Sequence, residues 1–142
     1  MRLKSFTALC ALGTLVAPCM GADPVSLPAL RPGLWEYHRT TRDSNGDKPQ
    51  LATLRKCGDP THDIQQRMDE LRAKGCRFSP LIKSGNQYAS SWLCPATSGV
   101  VAIRETVTVE SPTKYLTSSE IHHAERVVRA TTEAIRVGDC TP

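Results

Sequence analysis

Val100-Val101-Ala102-Ile103-Arg104-Glu105-Thr106-Val107-Thr108-Val109-Glu110 is the plainest β-strand in this chain. Val101, Ile103, Val107 and Val109 alternate with Ala102, Arg104, Thr106 and Thr108, the period of two that turns one face to a core. Glu105 breaks the pattern, because its position shares the apolar face. A charge there is costly unless it is paired. It reads as a polar group inside a ligand cavity, as the mark of a bulge that flips the face, or as half of a buried pair with an arginine, Arg129 or Arg39.

Toward the C-terminus, Ser111-Pro112-Thr113-Lys114 turns the chain and Tyr115 to His122 reads as the next strand. The segment from Ala124 to Val137 is ambiguous. Val127, Val128, Thr131 and Ile135 fit one face of a helix, whereas the density of Val, Ile and Thr favours a strand. Toward the N-terminus, Pro95 to Gly99 is a loop and Gln87 to Cys94 a strand with Tyr88, Trp92 and Cys94 on one face. Lys83-Ser84-Gly85-Asn86 is a tight turn. Cys76 to Ile82 is a further strand, which Pro80 marks as edge or bulged.

One helix is expected, at about 60–74. Asp59 can cap it, Pro60 suits its first position and Gly75 its C′ position. Ile64, Met68 and Leu71 form one narrow apolar stripe, so the helix lies on the surface of something apolar. Before it, Leu34 to Thr41 and Gln50 to Lys56 read as strands joined through Ser44-Asn45-Gly46-Asp47, a strong hairpin signal. Trp35 and Tyr37 share a face of the first. The fold class is mainly β (α+β): an antiparallel meander of about seven strands, as a curved sheet or small open barrel, with one surface helix.

The N-terminus carries Arg2 and Lys4, then an apolar run from Phe6 to Ala17, then small residues around Cys19 to Ala22. The run is shorter than the ~20 residues of a bilayer span. It reads as a cleaved secretory signal over residues 1–22. Pro18, directly before Cys19, argues against lipidation there. Residues 23–30, with Pro24 and Pro28, form an expected extended and poorly ordered spacer, and 31–142 a single disulfide-stapled β domain. The expected location is exported and periplasmic.

The net charge is +4 for the 142-residue chain, and loss of Arg2 and Lys4 with the signal brings it to +2. Basic residues are scattered, which gives no footprint for nucleic acid or a membrane surface. Cys57, Cys76, Cys94 and Cys140 remain after processing, an even number that argues for two disulfides in an exported domain. Three pairings are possible, and sequence proximity favours Cys57 with Cys76 and Cys94 with Cys140. The spacings do not suit a zinc site.

His38, His62, His122 and His123 show no ligand spacing, and the last two, adjacent in a strand, point to opposite faces. No metal or cofactor is expected. No serine sits in a nucleophile turn, and no phosphate-cradling loop or Cys-x-x-Cys pair is present. An enzyme is the class with least support. Trp35, Tyr37, Tyr88 and Trp92, with Glu105, are the candidates to line a ligand site. With aromatic content at 5%, the four rings are equally the natural filling of a small core.

Arg31-Pro32-Gly33-Leu34-Trp35-Glu36 near the start of the domain, together with Arg136-Val137-Gly138-Asp139-Cys140 at its end, resembles a family of small secreted bacterial proteins. That family is known only as domain of unknown function 3617, and the resemblance spans most of 31–140. It implies that the segment before the terminal Gly-x-Cys is a strand, and it implies no activity. Two expectations stand. One is a non-catalytic periplasmic binding module for a small, lipid-like or peptide ligand. The other is a structural protein that docks on an envelope partner through a sheet edge or the helix face.

Overall fold

The structure is a computed structural model and describes residues 25–46 and 48–141. The expected signal over 1–22, with Cys19, lies outside the described residues.

The chain runs β1 (Gly33–Asp43), β2 (Gln50–Gly58), α1 (Pro60–Ala73), β3 (Arg77–Phe78), β4 (Ile82–Ser84), β5 (Gln87–Ala96), β6 (Gly99–Ser111), β7 (Lys114–His123) and β8 (Arg126–Gly138). All eight strands join one open antiparallel sheet in the order β2-β1-β8-β7-β6-β5-β3, with β4 also on β5. The ambiguous segment before Gly138 is thus a strand, the longest together with β6. Pro80 interrupts the edge strand and leaves β3 and β4 as two short pieces, while Ser79 N–H still reaches Ser91 O at 3.0 Å between them.

From β5 to β8 the sheet is a meander of hairpins. The β1–β2 hairpin then joins the free edge of β8, so that the first and last strands pair from Leu34↔Gly138 to Asp43↔Val128. This long-range pairing satisfies a ladder that β8 would otherwise present to solvent. It also brings the two family motifs side by side. Arg136 Nε donates to Pro32 O at 2.8 Å. Gly33 has φ +153°, and a Cβ there would stand 2.6 Å from Gly138 O, so only glycine lets the two chain ends approach.

Trp35 has no exposed surface. Its ring lies 5.4 Å from that of Tyr115, tilted by 57°, and its Nε1–H donates to Arg31 O at 3.1 Å. Around it gather Leu30, Tyr88, Val107, Tyr115 and Ala134, with Ile64 and Leu81 packed against them. Ile64 shows that α1 lies on this inner face. Asp59 caps the helix by accepting from the Thr61 and His62 amides at 3.0 and 3.2 Å. Gly75, at φ +84°, ends it.

The spacer differs from expectation. Pro28 and Leu30 are buried, and Thr61 Oγ1 both donates to Pro28 O (2.7 Å) and accepts from Leu30 N (3.0 Å). Arg31 N–H adds a bond to Pro112 O at 2.8 Å. A hydroxyl on the first turn of α1 thus gives the proline-rich lead-in the partners that its own sequence cannot supply.

The disulfide pairing also differs. The bonds are Cys57–Cys140 and Cys76–Cys94, with Cα separations of 5.7 and 4.1 Å. Cys57 and Cys76 stand at opposite ends of α1, a 14-residue helix that is about 20 Å long. Cystine needs Cα atoms within about 7 Å. Because Leu34 pairs with both Cys57 and Gly138, the C-terminal Cys140 falls beside Cys57 instead.

The outer face is polar and laced with ion pairs. Glu36 holds Arg55 and His38 at 2.5 and 2.8 Å, Arg129 holds Glu120 at 2.7 Å, and Lys114 bridges Glu110 and Glu133 at 3.1 and 2.9 Å. One face solvated and one face covered is the usual state of an antiparallel sheet beside a helix.

Candidate functional site

Strand parity decides what the inner face offers. Reading across the sheet, Leu54, Tyr37, Ala134 and Tyr115 fall in one row; Ala52, Arg39, Thr132 and Thr117 in the next; Ala130, Ser119, Glu105 and Ser90 in the third. The first row contributes aromatic and apolar groups. The next two are rich in hydroxyls and charge.

Between this surface, α1 and the lead-in is a partly open cavity of about 520 Å³, within the ~300–1,000 Å³ of small-molecule sites. Its apolar wall comes from Leu27, Leu54, Ile64, Met68, Leu71, Leu81 and Val107, its polar wall from Tyr37, Tyr115, Ser90, Thr117, Ser119 and Thr132. The stripe Ile64, Met68 and Leu71 covers this space; it does not seal it.

Ala134, fully buried between Tyr37 and Tyr115 in the same row, leaves the two tyrosines as neighbours on either side of it. Burial pushes the Tyr115 phenol far above its ordinary range, with the proximity of Tyr37 adding to the effect. Burial raises Tyr37 as well. Both are neutral donors and acceptors at neutral pH. Lys56 Nζ meets Asp63 Oδ2 at 2.7 Å, a hydrogen bond that raises the lysine above its usual value. Arg67 on α1 meets Glu105 at 3.2 Å.

Of the five candidates, Tyr37, Tyr88, Trp92 and Glu105 line the cavity, and Trp35 does not. Trp35 fills the closed end behind Tyr115. Glu105 does pair with an arginine, but with Arg67 rather than Arg129 or Arg39. Arg129 points to the outer face, where it holds Glu120 at 2.7 Å, and Arg39 stands at the cavity rim. The residues that sequence reasoning passed over are Lys56, Asp63, Arg67, Tyr115 and the hydroxyl rows, while Arg39 enters that reasoning only as a partner for Glu105. Parity alone could have placed each strand residue on a face, but not the faces of different strands together.

The histidines stand elsewhere. His38 contacts Glu36 and Thr53 (2.8 and 3.3 Å), His122 contacts Glu120, and His123 faces Ser98 at 3.0 Å, while His62 opens α1. None lines the cavity. Among the described residues no helix is long and apolar enough to cross a membrane.

No curated protein matches the chain. Residues 30–140 match the family described as "Protein of unknown function (DUF3617)". The match takes in both ends of the sheet, from buried Leu30 through the β1–β8 pairing to Cys140, and the chain belongs to that family.

Proposed function

We propose that this protein is an exported, non-catalytic binding module that holds a small ligand between α1 and the inner face of the sheet. The observation that carries the reading is the 520 Å³ cavity. An apolar wall to bury a ligand body and a few converging polar groups to orient it make up the usual composition of such sites. Two disulfides support an oxidising compartment, where a domain of this size gains most from cross-links. The polar groups facing the cavity are two phenols, hydroxyls, two ion pairs and the Arg39 guanidinium, which suits recognition rather than bond-making.

Native mass spectrometry of the protein recovered from cells, followed by titration with a total lipid extract, tests the reading. A bound mass on isolation, or saturable uptake on titration, is expected. A clean ligand-free mass with no uptake would overturn it.

A further inference from the structure

The charges around the cavity do not balance, and the remainder has a place. Five charged side chains line it: Arg39, Lys56, Asp63, Arg67 and Glu105. Lys56 is held by Asp63 and Arg67 by Glu105, at 2.7 and 3.2 Å. Arg39 has no ion pair among the described residues. It is exposed, on the inner face of β1, at the rim of the cavity.

Its row is equally informative. Arg39 stands opposite Thr132, and Thr132 opposite Thr117, so an arginine and two threonines follow one another on the inner face of three adjacent strands. Both threonines face the cavity. Among the described residues their hydroxyls form no side-chain hydrogen bond. A planar cation at the end of a row of hydroxyl donors is complementary to an oxyanion, which the guanidinium can hold by paired charge-assisted bonds. Beyond this row the cavity runs under α1 to Leu54, Ile64, Met68, Leu71 and Leu81, none of which offers a polar partner.

We infer that the cavity takes a single-chain anionic amphiphile, its carboxylate or phosphate head on Arg39, Thr132 and Thr117 and its hydrocarbon chain beneath α1. This rests on the binding-module reading and sharpens it. A neutral amphiphile would leave the Arg39 guanidinium in water. An anion without a chain would leave the apolar wall unused.

Equilibrium dialysis of the full chain, disulfides intact, against laurate, dodecyl phosphate and dodecanol tests it. The two anions are expected to bind at least about tenfold tighter than the alcohol, the worth of a hydrogen bond to a charged group. Arg39→Gln should abolish that preference by weakening both anions, while Arg39→Lys should keep part of it. A far-ultraviolet circular dichroism spectrum and melting temperature matching the parent report that the variants are folded. Preference for laurate alone, or for dodecyl phosphate alone, supports the inference and identifies the head group. Equal affinity for all three would overturn the anionic head group yet leave the cavity as a binding site. Failure of all three to bind would overturn the inference and count against the binding module as well.

Discussion

Trp35 and Arg39 lie four residues apart on the same face of β1, and they stand in opposite kinds of surroundings. At Trp35 the lead-in, Tyr115 and Ala134 leave no exposed surface. At Arg39 the same face borders open space, hydroxyls and an exposed guanidinium. The difference shows that the distinctive Pro-Gly-Leu-Trp-Glu string is architecture. It closes one end of the sheet so firmly that the neighbouring stretch can remain open without collapse. A hollow of this size is stable only when its walls are held by something else.

The sharpest way to break this comparison is Trp35→Ala, which should cost about 3–5 kcal/mol, as large buried truncations do. Urea unfolding would report it as a lowered midpoint. If that variant stayed as stable as the parent and lost only a ligand, the closed end would be a binding element after all.

The two disulfides should differ in the same sense. Cys57–Cys140 closes 83 residues at the Trp35 end, and Cys76–Cys94 closes 18 beside the cavity. Chain-entropy reasoning gives about 4.5 kcal/mol for the first and about 3 for the second. Paired Cys→Ser variants compared by thermal unfolding should therefore rank Cys57/Cys140 as the more damaging. The opposite ranking would mean that the helix side carries the fold.

Tyr115→Phe probes the boundary between the two regions. Loss of the buried hydroxyl should cost about 1 kcal/mol near neutral pH. The folded-state pKa of Tyr115 is raised above the usual 10 by burial. Its contribution is therefore complete below pH 10 and is lost as pH climbs beyond it, because the unfolded phenol ionises first. The Phe variant should show a shallower alkaline decline in melting temperature, and an unchanged decline would contradict the burial of this phenol.

Ala124→Gly should raise stability by about 0.5–1 kcal/mol. Ala124 turns β7 into β8 at φ +53°, where a Cβ is strained. No gain in a chemical denaturation series would show that the turn is held without strain.

The smallest effect belongs to the exposed ion pairs, those of Glu36 and Glu120 on the outer face and that of Asp43 at the end of β1. Arg55, Arg126 and His122, by hydrogen bonds, lower the carboxyl groups of Glu36, Asp43 and Glu120 below their usual values. Groups depressed in the folded state add stability above their unfolded pKa and lose it as pH falls through the folded value. A shallow loss of melting temperature below about pH 4.5 is expected, reduced by added salt because these groups are exposed. Indifference to salt would place the acid sensitivity inside the cavity instead.

Much of the fold was legible because its signals are local. The alternation in Val100–Glu110, the Asp59-Pro60 and Gly75 ends of α1, and Pro80 on the edge strand each act through neighbours a few residues away. The connection between β1 and β2 was less so. Asn45-Gly46 does turn the chain, with Gly46 N–H on Asp43 O at 3.1 Å, and β2 starts at Gln50 as expected, but β1 runs on past Thr41 to Asp43. The turn at Ala124 carried no glycine or asparagine to announce it. Glu105 was recognised as a charge on an apolar face, while its partner Arg67 was not, because a helix residue reaches a strand only through packing.

By itself the sequence determined the class of the protein: antiparallel strands, one capped helix, and Cys57, Cys76, Cys94 and Cys140 fit for cross-linking. These follow from periodicity and turn chemistry, which each segment carries with it. Only the tertiary structure decided that β1 lies against β8, and nearly everything specific follows from that choice. It set Cys140 beside Cys57, enclosed Trp35, and ranged Arg39, Thr132 and Thr117 across three strands. Register between distant strands is a property of the assembled sheet, settled by which faces can be buried together.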